Sequence, residues 1–168
     1  MAQFQARRDI AIGMVFAGLL AGLAWAWLGD SAQRAPEARF QTLAGDEVLL
    51  SDLRGSPVIV YFWATDCVTC IRELPDLVAM YEDLADRGLE LIAVAMSHDD
   101  PNDVRRVQQE RDLPFRVVVD EGGGLARTFD QIRVTPTKLL VDPEGRMRMR
   151  HIGSTDHSQL RERIVPML

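Results

Sequence analysis

The fold is decided by residues 58–70, which read VIVYFWATDCVTC. Residues 58–63 are apolar, β-branched or aromatic without interruption, a pattern typical of a strand that is buried on both faces. A helical pattern begins at about Cys67 and continues to Asp86, and Gly88 provides a favourable C-terminal cap. The stretch therefore predicts a central strand that passes into a helix, with two cysteines at the junction.

Strands and helices alternate on both sides of this segment. A hairpin is expected at residues 40–50, where Ala44-Gly45-Asp46 forms the turn. Beyond the first helix we expect strands at residues 89–96, 115–120, 138–142 and 147–152, and helices at residues 103–111 and 125–129. A last helix, capped by Ser154 or Thr155, is expected to end near Met167. This alternation predicts an α/β sandwich around a largely buried sheet.

Length and composition exclude several classes of protein. The chain has 168 residues, of which 47% are hydrophobic and 26% charged, so it is long enough for one compact domain and is not disordered. A net charge of −6 argues against a general nucleic-acid-binding protein, which needs a basic face. Two cysteines are too few for a disulfide-rich scaffold.

An uncharged apolar segment lies near the N-terminus, at residues 10–28. As a helix its 19 residues would extend roughly 28 Å, close to the thickness of a bilayer's hydrocarbon core. Arg7 and Arg8 precede the segment, and Trp25 and Trp27 lie near its far end, as expected for a helix that enters the membrane from the cytoplasm. We predict a single transmembrane helix, with a cleaved signal peptide as the alternative.

This segment sets the predicted domain organisation. Residues 1–29 form the cytoplasmic N-terminus and the anchor, residues 30–38 a polar linker, and residues 39–168 the folded domain. The orientation places the folded domain on the exported side of the membrane, in an oxidising compartment. The first 29 residues carry a net charge of +1, which leaves −7 for the remainder, so the domain should not lie flat on an anionic lipid surface.

The two cysteines form the motif Cys67-Val68-Thr69-Cys70 at the start of the predicted helix. This spacing puts both sulfurs on one side of the first turn, close enough for a disulfide. Free N–H groups at the helix N-terminus stabilise a thiolate on Cys67, and Cys70 is then placed to resolve a mixed disulfide. So short a loop constrains the unfolded chain little, which favours a redox role over a structural one.

A metal site is the alternative role for these cysteines. A structural zinc ion usually needs four ligands, and the chain has no second pair of cysteines. His98, His151 and His157 each lie in or beside a predicted loop, where we expect them to meet solvent. Covalent haem attachment needs a histidine directly after the second cysteine, where Ile71 stands. We therefore predict no metal site and no cofactor other than the redox-active disulfide itself.

Several further motifs resemble those of the thioredoxin superfamily. They are Phe62-Trp63-Ala64 before the cysteines, Pro75 after them, and Val134-Thr135-Pro136-Thr137 before the penultimate strand. The anchor, residues 70–75 and the extra strand and helix at residues 89–111 resemble the TlpA/ResA-type membrane-tethered thioredoxins. This resemblance covers most of the chain from about residue 38 onward. It implies a thioredoxin fold with an N-terminal hairpin and an extra strand–helix insertion, which faces the periplasm and exchanges thiols and disulfides with other proteins.

The resemblance assigns roles to individual residues. Cys67 is the attacking thiol and Cys70 the resolving one. Pro136 matches the family's cis-proline opposite the disulfide, Thr135 offers backbone groups to an extended substrate, and Trp63 is expected beside them at the substrate-binding surface. Together these residues imply a groove for a polypeptide substrate.

Glu73 lies one helical turn beyond Cys70 on the same predicted face. In the family that the chain resembles, a partly buried glutamate at this place tunes the thiols and relays protons; the alternative is a surface carboxylate near a helix N-terminus. Many cytoplasmic thioredoxins carry a buried aspartate where Tyr61 stands, which leaves Glu73 as the matching candidate. Pro75 is expected to kink the helix, as in the family pattern.

Two residues depart from the family pattern. Asp66 replaces the usual tryptophan before the first cysteine, and Thr69 replaces the common proline before the second. A carboxylate beside Cys67 opposes the stabilisation of its thiolate, unless Asp66 instead caps the helix. We hypothesise that Asp66 raises the pKa of the Cys67 thiol and biases the protein towards being a reductant.

These observations predict a single-pass protein of the inner membrane that reduces disulfides in exported proteins. By resemblance, its clients are apocytochromes, copper chaperones or oxidase subunits, and its electrons come from an integral-membrane thiol transporter. Thr137 stands where the cytochrome-maturation branch typically has a glutamate, which favours a general or copper-linked role. Nucleic acid is not expected as a partner.

Three alternative functions are compatible with the sequence. A copper carrier would use the two thiols as soft ligands, although related carriers space their cysteines one residue wider and add a histidine. A thiol peroxidase motif has threonine three residues before its cysteine, where Ala64 stands. A tethered interaction domain without catalysis would not depend on Cys67.

Overall fold

The computed structural model describes residues 18–20 and 32–168. The chain divides into two compact units, Met1–Ala32 and Gln33–Leu168. In the first unit residues 18–20 are helical, and the rest of the predicted membrane segment at residues 10–28 lies outside the described residues. Among the residues that are described, no helix has the length and apolar character needed to span a bilayer. The anchor stays a prediction.

The second unit is built from short strands and helices that alternate along the chain. Its strands are β1 (Arg39–Gln41), β2 (Glu47–Leu49), β3 (Val58–Trp63), β4 (Glu90–Ala95), β5 (Arg116–Val119), β6 (Thr137–Val141) and β7 (Met147–Ile152). Its α-helices are α1 (Val68–Leu84), α2 (Pro101–Glu110), α3 (Gly124–Thr128) and α4 (His157–Ile164). Helix α1 continues past Pro75, the residue at which a kink is predicted. Apart from α4, the predicted elements are confirmed to within two residues at each end.

The main sheet has the strand order β5-β4-β3-β6-β7. Strands β3, β4 and β5 run parallel, whereas β6 is antiparallel to both β3 and β7. The central strand β3 is buried along its whole length, as its uninterrupted apolar run predicts. Strands β1 and β2 form the predicted hairpin, which a bridge between Thr42 and Val118 joins to β5.

The side chains of β3 alternate between two apolar clusters, one on each face of the sheet. Tyr61 and Trp63 belong to the cluster that also contains Leu74 of α1 and Leu160 of α4. Phe62 belongs to the cluster on the opposite face. Because both faces are covered, the chain leaves β3 from the protein interior and emerges only at the edge of the sheet.

Three loops meet at this edge of the sheet. Strand β3 ends at Trp63, and the parallel strand β4 ends beside it at Ala95. The antiparallel strand β6 begins at the same edge, because Phe62 pairs with Thr137. The loops that follow β3, follow β4 and precede β6 are therefore neighbours, and the cysteine motif belongs to the first of them.

The cap of the last helix differs from the prediction. Asp156 caps α4, and its Oδ1 accepts a hydrogen bond of 2.9 Å from the Ser158 N–H. The prediction of Ser154 or Thr155 as the cap is therefore wrong. Asp156 directly precedes the first turn, where a carboxylate accepts free N–H groups and interacts favourably with the helix dipole.

Candidate active site

The disulfide between Cys67 and Cys70 lies at the N-terminus of α1, as predicted. Cys67 is the N-cap residue, and its Sγ accepts a hydrogen bond of 3.2 Å from the Cys70 N–H. Cys67 is partly exposed, whereas Cys70 is completely buried. Once the disulfide is reduced, the same N–H and the helix dipole favour a thiolate on Cys67, the sulfur that an incoming protein can reach.

The Thr135–Pro136 peptide bond is cis, as predicted. The Thr137 hydroxyl donates to the Val134 carbonyl at 2.6 Å, and the Gly153 N–H donates to the Pro136 carbonyl at 2.7 Å. Thr135 is partly exposed, and its backbone N–H and C=O have no hydrogen-bond partner in the described part of the chain. The loop thus presents backbone groups that an extended polypeptide can bind.

Trp63 does not lie at a substrate-binding surface, and that prediction is wrong. Its side chain is fully buried and belongs to the same cluster as Cys70 and Leu74. Its Nε1 is also buried and has no partner among the described residues. The alternation along β3 explains the difference, because it places Trp63 on the same inward face as Tyr61.

Glu73 is buried and pairs with a lysine. Its Oε1 accepts a hydrogen bond of 2.7 Å from Nζ of Lys138, whose side chain is completely buried. Lys138 lies on β6, directly opposite Tyr61 of β3. The surface alternative for Glu73 is therefore wrong. Lys138 was absent from the predicted site, although a lysine within a buried apolar strand is itself a signal, because such a residue needs a partner of opposite charge.

Two further titratable side chains adjoin this ion pair. The ring centre of Tyr61 lies 5.2 Å from Lys138 Nζ, and the Tyr61 hydroxyl donates to the Cys70 carbonyl at 3.3 Å. Burial, followed by the negative charge of Glu73, holds the pKa of Tyr61 far above its ordinary value. Burial lowers the pKa of His157, whose side chain is only 17% exposed, so the expectation that it meets solvent is wrong. Tyr61 and His157 are therefore neutral near pH 7.

Asp66 is exposed, and its Oδ1 lies 3.4 Å from Nε2 of His98. It does not cap α1, because Cys67 occupies the N-cap position. The alternative in which Asp66 caps the helix is therefore wrong. Its carboxylate remains next to Cys67 in the sequence, in solvent that screens its field. The effect of Asp66 on the Cys67 thiol stays a prediction.

Asp99 anchors the loop that leads to Cys67. Its two carboxylate oxygens each accept from the Thr65 N–H at 3.1 Å, and Oδ1 also accepts from the Thr65 hydroxyl at 2.6 Å. The buried Asp99 was not among the predicted site residues. Its position just after the end of β4, which runs parallel to β3, could have indicated a site residue, because functional side chains often follow the carboxyl ends of parallel strands. Ligand atoms of Asp66, His98 and Asp99 lie within 4.8 Å of one another, but Thr65 already engages both oxygens of Asp99.

The Asp99→Ala variant tests this anchor. The substitution leaves the Thr65 N–H and hydroxyl without their acceptor. Because hydrogen bonds to a charged group contribute about 1.5–3 kcal/mol, we expect the free energy of unfolding in urea to fall by about 2–3 kcal/mol. A double-mutant cycle with Thr65→Ala is the control: the two losses should overlap, and fully additive losses would show that the residues are not coupled.

The Asp66→Asn variant tests the effect of the neighbouring charge. Removing the carboxylate should lower the pKa of the Cys67 thiol in the reduced protein, by less than about 1 because the group is exposed and screened. Thiolate absorbance titrated against pH measures this change. Glu82→Gln removes an exposed negative charge far along α1 and should leave the titration unchanged. An unchanged or raised Cys67 pKa in Asp66→Asn would reject the hypothesis.

Comparisons with known proteins agree with this geometry. Residues 31–150 match the AhpC/TSA family. The thiol-disulfide oxidoreductase ResA of Bacillus thuringiensis subsp. konkukian is 31% identical over 133 residues, which cover 79% of this chain and 76% of that protein. The sporulation thiol-disulfide oxidoreductase A of Bacillus subtilis is 26% identical over 160 residues, which cover 93% of this chain and 96% of that protein.

Solved structures share the fold. The solution structure of a putative thioredoxin from Neisseria meningitidis has a TM-score of 0.75 and 26% identity, covering 82% of this chain and 91% of that chain. A putative thiol:disulfide interchange protein DsbE from Chlorobium tepidum has a TM-score of 0.73 and 26% identity, covering 82% and 97% of the two chains. The predicted thioredoxin-like α/β fold is confirmed. The chain belongs to the AhpC/TSA family, as one of its ResA-like thiol-disulfide oxidoreductases.

Proposed function

We propose that this oxidoreductase reduces disulfides in exported proteins, from a position tethered to the inner membrane by residues 10–28. The difference in accessibility between its two sulfurs carries the proposal. Cys67 is partly exposed at a helix N-terminus, whereas Cys70 is buried beneath it. One sulfur can therefore bond to an incoming protein while the other is reserved for the internal step. The tether rests on the length and apolar character of residues 10–28.

The catalytic cycle begins with both cysteines reduced. The Cys67 thiolate attacks a client disulfide, so that a bond forms between Cys67 Sγ and one client sulfur while the other client sulfur leaves as a thiolate. The deprotonated Cys70 then attacks Cys67 Sγ, which closes the internal disulfide and releases the second client thiolate. The client gains two electrons, and the protein reaches the oxidised state in which Cys67 and Cys70 are bonded. A dithiol of an integral-membrane thiol transporter would restore the reduced pair.

The surroundings of Cys67 favour a polypeptide client over a small charged molecule. From the neighbouring loop Thr135 offers a backbone N–H and C=O that have no partner within residues 18–20 and 32–168. Val68, the first residue of α1, is 75% exposed, and Val134, in the loop before β6, is 53% exposed. Backbone donors and acceptors beside exposed apolar side chains suit an extended, incompletely folded segment.

The negative charge of Asp66, next to Cys67, bears on the direction of electron flow. A strong oxidant needs a greatly stabilised thiolate, because this stabilises its reduced form. The carboxylate of Asp66 opposes such stabilisation. The proposed direction is therefore from the protein to its clients.

Thr137, the residue directly after the cis-proline, indicates which class of client protein is favoured. Thr137 is buried, and its hydroxyl is engaged with the Val134 carbonyl. A neutral, internally bonded side chain stands where the cytochrome-maturation branch of the family typically has a glutamate. We favour copper chaperones, oxidase subunits or a general set of exported proteins over apocytochromes as clients.

Reduction of a purified disulfide-bonded exported protein, with dithiothreitol as electron source, tests the reaction. The reduced protein should accelerate the reaction, and Cys67→Ala should abolish the acceleration because no sulfur remains accessible. Cys70→Ala should instead accumulate a covalent adduct between Cys67 and the client, visible on a non-reducing gel. Thr69→Ala, which changes a residue between the cysteines, is the control and should retain activity. Absence of acceleration, or of the adduct, would contradict the proposal.

Labelling of intact cells tests the location and the direction together. A maleimide that cannot cross the inner membrane should label the full chain in growing cells, because the cysteine pair faces the exported side and is kept reduced. The variant with both cysteines changed to alanine is the control and should not be labelled. Labelling only after lysis would contradict the orientation, and labelling only after added reductant would contradict the reducing role.

A further inference from the structure

The loops on the two sides of Cys67 differ in chemical character. Strands β4 and β6 flank β3 on opposite sides. The loop after β4 and the loop before β6 therefore lie on opposite sides of the segment that leads from β3 to Cys67. A client segment that crosses Cys67 at this edge of the sheet extends towards one loop on one side and the other loop on the other.

The β6 side is apolar and offers backbone groups. Val134 is exposed there, and Thr135 presents a backbone N–H and C=O without a partner in the part of the chain that the structure describes. Ile152, at the end of β7, is 55% exposed and pairs with Thr137 at the same edge of the sheet. An extended apolar stretch of a client suits this side.

The β4 side is acidic. Residues 64–71 and 96–104, which follow β3 and β4, contain four aspartates and neither lysine nor arginine. The two segments are in contact, because Asp99 accepts hydrogen bonds from Thr65 and Asp66 lies beside His98. Charges of one sign on one side of a reactive group attract segments of opposite charge and repel segments of the same charge.

Asp66 is the aspartate nearest in sequence to the attacking sulfur. It directly precedes Cys67, and its side chain is 75% exposed. Its Oδ1 lies 3.4 Å from Nε2 of His98, and its Oδ2 has no hydrogen-bond or ion-pair partner among the residues that the structure describes. A client joined through its cysteine to Cys67 brings its neighbouring residues within reach of this carboxylate, because consecutive Cα atoms are only about 3.8 Å apart.

The other three aspartates add to the negative charge but do not replace Asp66. Asp99 is buried, and Asp100 caps α2. Asp103 forms an ion pair with Arg106. Of the four aspartates, Asp66 combines an exposed carboxylate with a position next to Cys67.

We propose that Asp66 is a specificity-determining residue, which selects client segments that carry a lysine or arginine beside the attacked cysteine. The basic residue lies on the β4 side against Asp66, and the apolar residues of the segment lie on the β6 side. The inference rests on the exchange reaction proposed above and names the sequence class of its substrates. The bonds that form and break are those of that reaction, and no further step is added.

This selection is separable from an effect of Asp66 on the Cys67 thiol. A change in the pKa of that thiol alters the rate with every client by the same factor, if the leaving group is the same. Selection instead alters the ratio of rates between clients of different charge. The ratio therefore reports selection alone.

Activated peptides measure this ratio. Short peptides carry one cysteine joined to an uncharged 2-thiopyridyl leaving group and differ only in having lysine or glutamate beside that cysteine. Attack by the reduced full chain releases pyridine-2-thione, and each rate is divided by the rate of the same peptide with 2-mercaptoethanol. At low ionic strength the lysine peptide should react at least about 3-fold faster than the glutamate peptide, as expected for exposed charges. A ratio of 1 or below would overturn the proposal.

Variants locate the source of the preference. Asp66→Asn should lower the ratio at least about 2-fold, because it removes the exposed charge, whereas Asp66→Glu keeps the charge and should keep the preference. Glu82→Gln removes an equal charge from an exposed position further along α1 and is the matched control, which should leave the ratio unchanged. A wild-type ratio in Asp66→Asn, or an equal loss in Glu82→Gln, would overturn the role of Asp66.

The order of residues in the peptide tests the two-sided arrangement. Two peptides of the same composition carry leucines on one side of the cysteine and lysines on the other, in opposite orders. They should react at different rates, because only one order places the leucines against Val134 and the lysines against Asp66. Equal rates would overturn this arrangement. Absence of thione release with every peptide would instead contradict the exchange function itself.

Discussion

The covered central strand β3 is the constraint on which the active site depends. Because apolar clusters pack on both of its faces, the chain leaves this strand from the interior and reaches the surface at Asp66 and Cys67. The helix that follows immediately turns Cys70 back into the core. The unequal exposure of two sulfurs three residues apart is thus a direct consequence of a buried strand that leads into a helix N-terminus.

The active site contains charged groups both at the protein surface and in the buried interior. At the surface, the helix dipole and the Cys70 N–H favour a thiolate on Cys67, and our hypothesis is that the solvated charge of Asp66 opposes it weakly. In the interior, Lys138 and Glu73 form a pair without net charge, in a region where any unbalanced charge would be costly. The exposed charge next to Cys67 and the buried ion pair therefore lie in different electrostatic environments.

Much of this arrangement could be predicted from the sequence, because it depends on local patterns. The apolar run of β3, the turn at Ala44-Gly45-Asp46 and the cysteine spacing are all encoded within short windows. The cis-proline required the resemblance to a family, since a trans bond is the ordinary expectation for Thr135–Pro136.

The contacts that were missed join residues far apart in the sequence. Lys138 meets Glu73 across 65 residues, and Asp99 meets Thr65 across 34. Such pairs follow from strand order and register, which local patterns do not define. Trp63 was misplaced for a related reason: its identity matched a motif, but the alternation along β3 decides which way its side chain points.

The unequal accessibility of the two sulfurs can be measured directly in the reduced, folded protein. Alkylation with iodoacetamide at neutral pH, followed by mass spectrometry of the peptides, gives a separate rate for each cysteine. The structure predicts rapid modification of Cys67 and protection of Cys70, with the protection lost when the protein is unfolded in urea. Equal rates at Cys67 and Cys70 in the folded protein would contradict the account.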